Sequence, residues 1–354
     1  MYLFKRFFYT ILCTTLALTT TPSHGQVTGG GTTYAFLNLT SAPRVAALGG
    51  IALATTANDV NFAFYNPALL DSTSVHAIAI NYVNYLADIK LASAVYAGKI
   101  SKIGYYTVGF QFFDYGKFTR TDAGANELGD FYPQDYVLQM GYAMPLKKVK
   151  NLSVATNIKF IGSQYDTYSS VGVASDLLLS YQNKATRLAA VLAVKNLGSQ
   201  LKPYVTGNYE PLPFDVQLNI SKRLEHLPFR AGVVLHHLHQ WNIRYDDPAD
   251  RYYKERQLLQ AGETPVEQSY FFDKALRHVI LNGELSLGKS LNVQFGYNHL
   301  RRQELSLPNF RGRNGISFGV GIDTKRFGFS YANSAYSLVG ASHHIAINLK
   351  LDSF

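Results

Sequence analysis

Pro213-Phe214-Asp215-Val216-Gln217-Leu218-Asn219-Ile220-Ser221 alternates apolar and polar side chains over a full strand length. Successive side chains of an extended chain point to opposite sides, so Phe214, Val216, Leu218 and Ile220 share one face and Asp215, Gln217, Asn219 and Ser221 the other. One face suits hydrocarbon and the other water. The same split recurs near the end of the sequence, where Ile345, Ile347, Leu349 and Leu351 oppose Ala346, Asn348 and Lys350 shortly before Phe354. Between about residue 75 and Phe354, segments of roughly ten alternating residues followed by a turn recur about fourteen times. That pattern predicts an all-β fold, a transmembrane antiparallel β-barrel of about 14 strands over 75 to 354.

The connections support the same architecture. Those after even-numbered strands are short: Ile100 to Ile103, Leu146 to Lys150, Gln182 to Ala185, Arg223 to Leu227, the Lys289 turn and Asp323-Thr324. Those after odd-numbered strands include Tyr115 to Tyr132, Gly198 to Leu212 and Trp241 to Arg277. An antiparallel barrel places alternate connections on opposite rims, and bacterial barrels keep short turns in the periplasm. The expected strands include 186 to 196, 228 to 240 and 290 to 302. A soluble β-sandwich would also alternate, with its polar face in open water. Here that face is small or uncharged, as in Ser153, Ala155 and Asn157, in Asn282, Glu284 and Ser286, in Asn292, Gln294, Gly296 and Asn298, or in Ser317, Gly319 and Gly321. Such residues suit a crowded, wet lumen.

Composition agrees, with 14% aromatic residues led by 25 Tyr and 22 Phe, and 16% charged residues. Amphipathic rings settle at membrane interfaces, and a soluble protein carries about 25% charge. Residues 1 to 25 read as a secretory signal peptide: Lys5 and Arg6, an apolar run from Phe7 to Leu18, then Ser23-His24-Gly25. Cleavage near Gln26 would remove Cys13, the one cysteine, and lower the formal charge from +9 to +7. A lipoprotein signal would need a small residue where Leu12 stands. The remaining positive charge reads as spread out, with Lys147, Lys148 and Lys150 its densest group, in a turn without interleaved aromatics. No nucleic-acid partner is expected. No segment after the signal is apolar for about eighteen residues, which excludes a helical membrane protein.

Residues 26 to 74 do not alternate, and their apolar surface needs a place to be buried, which the bore of a wide barrel supplies. This segment carries Tyr34-Ala35-Phe36-Leu37-Asn38, then Pro43-Arg44-Val45-Ala46-Ala47-Leu48-Gly49-Gly50, and then Asn61-Phe62-Ala63-Phe64-Tyr65-Asn66-Pro67-Ala68-Leu69-Leu70. Asn66-Pro67-Ala68 between a small-residue segment and about fourteen strands resembles the FadL-type outer-membrane family. The runs through Pro43, Arg44, Gly49 and Gly50 and through Asn61, Asn66, Pro67 and Ala68 are more similar to the PorV/PorQ family of the Bacteroidetes type IX secretion system. Tyr34 to Asn38 leans towards its PorQ side. The resemblance implies an N-terminal plug in the lumen and a place in the cell-surface attachment complex. The partners it implies are PorZ, the sortase-like PorU and a PorV-like component. A barrel of this class also meets outer-membrane lipid and lipopolysaccharide.

The side chains that invite chemistry are few. His236, His237 and His239 suggest a metal, but strand register puts His237 and His239 on the face of Phe229, Ala231, Val233 and Leu235 and His236 on the other, so they read as interfacial histidines. His343 and His344 are adjacent and therefore opposed. Ser286 with His278 is a nameable hydrolase pair without a local signature. No enzyme activity, cofactor or metal is expected. In the loop 241 to 277, Pro248 to Gly262 reads as a short helix started by Asp250 and stopped by Gly262. Trp241, Arg244, Tyr252, Tyr253, Arg256, Phe271 and Phe272 are its candidate partner contacts, and Leu349, Leu351 and Phe354 the candidate C-terminal assembly signal. The expected function is a non-enzymatic anchor or scaffold for a surface partner, with loops 115 to 132 and 241 to 277 as contacts. The alternative is a FadL-like channel for hydrophobic molecules, which needs an apolar pocket and an interrupted strand. Gly104, Gly109 and Gly116 around the third strand are the candidate bend for that strand.

Overall fold

A computed structural model describes residues 31–55, 59–71, 74–100, 104–244, 256, 271–288, 290–305, 312–336 and 340–351. The expected signal peptide, most of the expected helix in the 241 to 277 loop, Tyr252, Tyr253 and Phe354 lie outside the described residues. The described residues form sixteen strands, of which fourteen close into one antiparallel barrel. Around the wall run β1 (Ala77–Asn84), β2 (Lys90–Ile100), β3 (Gly104–Asp114), β6 (Gln134–Pro145), β7 (Leu152–Tyr165), β8 (Tyr168–Asn183) and β9 (Leu188–Lys202). The circle continues through β10 (Asp215–Arg223), β11 (Phe229–Leu235), β12 (Val279–Leu287), β13 (Leu291–Asn298), β14 (Ile316–Asp323) and β15 (Phe327–Ser334). It ends at β16 (Ser342–Lys350), which pairs back to β1. Closure leaves no edge strand, which hydrocarbon demands of any sheet that crosses it.

Alternation decides which side chain meets which solvent. In β10, Asp215, Gln217, Asn219 and Ser221 are buried inside, whereas Ile220 is 43% exposed on the outer wall. Ile80, Val108, Leu138, Ile158, Leu192 and Ile347 continue that outer apolar belt. Tyr82, Tyr136, Tyr297 and Tyr331 sit towards the long-loop end, and Tyr96, Tyr106, Tyr142 and Tyr181 towards the short-turn end. An apolar band between two aromatic girdles is the outer surface a bilayer requires.

The departures from sequence expectation lie at the strand ends. β11 stops at Leu235 rather than 240, because His237 takes a left-handed conformation (φ 54) and leaves the ladder. β13 stops at Asn298, whose side chain accepts from the Arg301 N–H and starts a helix, α4 (His299–Glu304), where strand was expected to 302. β9 runs on to Lys202 through a bulge at Asn196 (φ 56), where Ser175 faces Leu197 and Leu177 faces Val194. The loop after β3 holds a separate hairpin of β4 (Phe118–Thr121) and β5 (Glu127–Phe131). β3 itself pairs with β2 and β6 along its whole length without a break, so Gly104 and Gly109 make no bend. Gly109 instead gives room to the Phe64 ring, and Gly116 turns the chain out of β3 with φ 80. Of the 241 to 277 loop, its last turn is described as helix α3 (Phe271–Arg277).

The positive charge is gathered rather than spread out. Lys147, Lys148 and Lys150 share the β6–β7 turn, Lys184 and Arg187 the next, Arg223 opens the β10–β11 turn, and Lys325 and Arg326 the β14–β15 turn. Lys99, Lys222 and Lys350 add to the same rim, where Asp71, Glu225 and Asp323 are carboxylates in the described turns and strand ends. The long-loop rim mixes signs, with Asp88, Asp122, Glu127 and Asp166 beside Lys117 and Arg120.

Candidate functional site

Residues 33 to 55 and 59 to 70 run inside the barrel and carry much of its buried surface, including Phe36, Val45, Phe62, Phe64 and Leu69. Two short helices shape this plug. The first, α1 (Pro43–Ala47), starts with proline at its first position, where the missing N–H is no loss. It stops at Gly49 and Gly50 (φ 97 and 90): the Gly49 N–H bonds to the Ala46 carbonyl and the Gly50 N–H to the Val45 carbonyl, closing the last turn. These glycines are also cut to fit the wall, because a Cβ on Gly49 would collide with Ile280 and one on Gly50 with Arg301.

The second helix, α2 (Val60–Tyr65), is capped by the Asp59 carboxylate, which accepts from the Asn61 N–H at 2.9 Å. It ends before Pro67, as a residue preceding proline disfavours helix. Asn66 is fully buried and bridges two segments: its Oδ1 accepts from the Ala68 N–H at 3.1 Å, and its Nδ2 donates to the Leu53 carbonyl at 3.1 Å. Pro67 fits against Gly141 of β6, where a Cβ would strike its ring.

Polar contacts tie this plug to the wall in many directions. Arg44 forms a forked pair with Glu284 of β12, from Nε to Oε2 at 2.8 Å and from Nη2 to Oε1 at 2.5 Å. Asp59 stands 3.8 Å from the same guanidinium, which also lies over the Phe62 ring at 5.2 Å. Asn61 donates to Asn348 of β16 at 2.9 Å and accepts from Asn81 of β1 at 2.7 Å. Asn219 of β10 accepts from the Leu53 N–H at 3.0 Å, Asn157 of β7 donates to the Tyr65 carbonyl at 3.2 Å, and Ser317 of β14 donates to the Ala47 carbonyl at 2.9 Å. Ser93 of β2 and Gln111 of β3 both reach Ser41. Bonds to so many strands, most of them buried, hold the plug in one position.

Towards the long-loop end a hollow of about 860 Å³ remains between the plug and the wall. Its apolar lining includes Leu37, Leu39, Leu53, Phe64, Val137 and Leu212, and its polar lining Lys159, Lys195, Asp215, Gln217, Arg301 and Glu304. On its wall Asp176 accepts from Lys159 at 2.8 Å, from Lys195 at 2.7 Å and from the Asn196 N–H at 2.9 Å. The bulge makes this possible, because the extra residue turns both Lys195 and Asn196 towards one carboxylate. The sequence carries a trace of it: Val194-Lys195-Asn196-Leu197 puts two polar residues side by side and breaks the alternation.

His236 keeps the lumen face that strand register gives it, whereas His237 and His239 leave the outer face expected of them. With β11 ended, His236, His237 and His239 all line the hollow. Asp215 accepts from the His237 N–H at 2.6 Å and lies 3.9 and 4.0 Å from the imidazole Nδ1 atoms of His237 and His239. Burial pushes both imidazoles below their ordinary pKa against the pull of Asp215. His236 and His237 share a hydrogen bond between their Nδ1 atoms at 2.7 Å, and no group of three such side chains among the described residues is placed to hold a metal ion. Ser286 and His278 lie at opposite ends of β12, about 27 Å apart at the usual strand rise, so they form no catalytic pair.

At the rim, Trp241 is 54% exposed, stacks on His278 and meets the Phe271 ring at a tilt, while Phe272 is 80% exposed. Arg256 is helical and exposed, and Arg244 is half-buried. At the other end Leu349 pairs with Ile78 and Phe327, and the Leu351 N–H closes on the His76 carbonyl.

No family model matches the chain, and no curated protein does. Among solved structures it is similar to the toluene transporter TodX of Pseudomonas putida, at 11% identity over 88% of this chain and 96% of that one, with a TM-score of 0.46. A FadL homologue of Pseudomonas aeruginosa matches at 10% identity over 88% of this chain and 98% of that one, with a TM-score of 0.45. The KdgM porin matches at 5% identity over 77% and 98%, with a TM-score of 0.33.

Proposed function

We propose that this chain is an outer-membrane β-barrel that works as a non-enzymatic anchor: a plugged barrel of the PorV/PorQ kind in the type IX secretion attachment complex, holding a PorZ-like surface partner by its external loops. The observation that carries this reading is the plug. Among the described residues the lumen is occupied by a segment bonded to β1, β2, β3, β7, β10, β12, β14 and β16, and the ladder of β3 runs unbroken beside it, which favours a closed barrel. The rim is then the working surface, and its exposed Trp241, Phe271 and Phe272 are the large amphipathic and apolar side chains that anchor partners. The likeness of Pro43 to Gly50 and of Asn61 to Leu70 to that family supplies the identity of the complex. Mild crosslinking in the native outer membrane followed by affinity purification tests it. A surface protein should co-purify and be lost when residues 241 to 277 are deleted; recovery of the barrel alone would end this reading.

The hollow favours a second reading, a channel for hydrophobic small molecules, because it offers about 860 Å³ with a partly apolar lining. This reading requires the plug to move. Equilibrium binding of a fluorescent long-chain fatty acid to the purified barrel tests it, and absence of saturable binding removes it.

A further inference from the structure

The short-turn rim carries a cleft that neither reading uses. It opens between the β8–β9 and β10–β11 turns, has a volume of about 670 Å³, and reaches from the barrel mouth to the membrane side of the rim. Lys184, Arg187, Arg223 and Arg230 line it, and Glu225 is its one carboxylate among the described residues. Arg187 donates to the Leu224 and Glu225 carbonyls at 3.2 and 3.1 Å, which fixes the two turns against each other and sets the shape of the cleft. Leu188, Leu227 and Pro228 also line it, and Leu227 is 58% exposed.

Cations beside exposed apolar side chains, at the level where the hydrocarbon belt ends, match a molecule with an anionic head and acyl chains. We infer that this cleft binds the phosphate headgroup of an anionic phospholipid from the periplasmic leaflet, with its chains leaving over Leu227 and Leu188. Three observations favour lipid over an acidic polypeptide. Leu188 stands on the outward face of β9 that continues through exposed Leu192, where a periplasmic peptide would meet hydrocarbon, and exposed Leu227 lines the same cleft. The surrounding rim is basic along its circumference, from Lys147 to Lys325, as a surface facing a sheet of headgroups would be. The cleft volume admits a headgroup and its glycerol, and basic pockets at membrane boundaries are where such headgroups are held. The inference stands apart from the proposed anchoring role, since it concerns the opposite rim.

The test uses the full chain in nanodiscs of phosphatidylcholine containing a minor share of phosphatidylglycerol or cardiolipin, with native mass spectrometry counting the lipids that stay bound. The wild-type barrel should retain the anionic lipid in preference to phosphatidylcholine, and Lys184→Gln/Arg223→Gln should reduce that preference about tenfold. Heat-modifiable gel mobility checks that the variant barrel is folded. Lys325→Gln/Arg326→Gln removes the same charge elsewhere on the rim and should keep the preference; an equal loss there would reduce the effect to general rim charge and overturn the site. No preference in the wild type, or an unchanged preference in the cleft variant, overturns it too. Displacement of the lipid by inorganic phosphate at constant ionic strength would reassign the cleft to free phosphate, and tighter binding of an oligoglutamate peptide than of the lipid would reassign it to an acidic partner; either result rejects the lipid assignment.

Discussion

Two stretches of the lumen are built on opposite principles. Along the seam where α1 meets β12 to β14, polar groups are matched and glycines are placed where any Cβ would collide: Arg44 forks onto Glu284, Ser317 bonds the Ala47 carbonyl, and Gly296 and Gly319 admit the backbone and side chain of residues 47 to 49. In the hollow, the plug stands back from β7, β9 and β10, and polar atoms such as Gln217 Oε1 and His236 Nε2 are buried with no protein partner. A seam with matched partners resists motion, since breaking one bond exposes another group to a dry interior. A hollow whose polar atoms lack protein partners has capacity for water or a guest. Closure and spare volume are thus separated within one bore.

The largest effect should come from breaking the seam. Arg44→Ala leaves Glu284 buried beside Asp59, two carboxylates without their cation, and should destabilise the seated plug by about 3–5 kcal/mol. In planar bilayers the variant should show frequent openings where the parent barrel is quiet, and the plug should become accessible to protease. A variant as silent as the parent would mean that the seam is not the lock. Gly49→Ala should cost less, about 1–3 kcal/mol, since it combines a left-handed backbone with a collision against Ile280. Comparison of guanidinium unfolding midpoints in lipid vesicles measures it, and a neutral result would show that Ile280 moves aside.

Most of the wall was legible in the sequence because alternation is local: Asp215 to Ser221 states its two faces without reference to any other strand. The strand count and the long and short connections followed from the same signal. What the sequence could not show was pairing at a distance. Arg44 and Glu284 are 240 residues apart, and each reads alone as an ordinary polar residue. His237 and His239 were misplaced because register was carried past Leu235, whereas His237 leaves it through a left-handed backbone that no neighbouring glycine announces. The basic rim was missed for a related reason. Its charges are dispersed along the chain, and closure of the barrel gathers them at one end.

Substitutions in the hollow should be mild by comparison. Gln217→Leu removes a buried oxygen that has no protein partner along with the amide that donates to Asp215 at 2.6 Å, so the two losses oppose each other. The net change should stay within about 1 kcal/mol, because Asp215 keeps its bond from the His237 N–H. A penalty as large as that of Gly49→Ala would place the hollow in the same class as the seam.

The smallest effect is expected above the hollow, where the β4–β5 hairpin leaves the barrel. Arg120 on β4 pairs with Asp166 in the β7–β8 turn, and its side chain is 43% exposed. Water and salt screen such a pair, and fixing two long side chains costs entropy that the attraction barely offsets. Arg120→Ala should therefore change stability by less than about 1 kcal/mol, with the difference fading as ionic strength rises past about 0.15 M, where the screening length falls to about 8 Å. Unfolding at low and high salt measures both features. If the cost matched that of Arg44→Ala and ignored salt, the hairpin would be bound into the barrel as firmly as the plug, and the rim would share the matched construction of the seam.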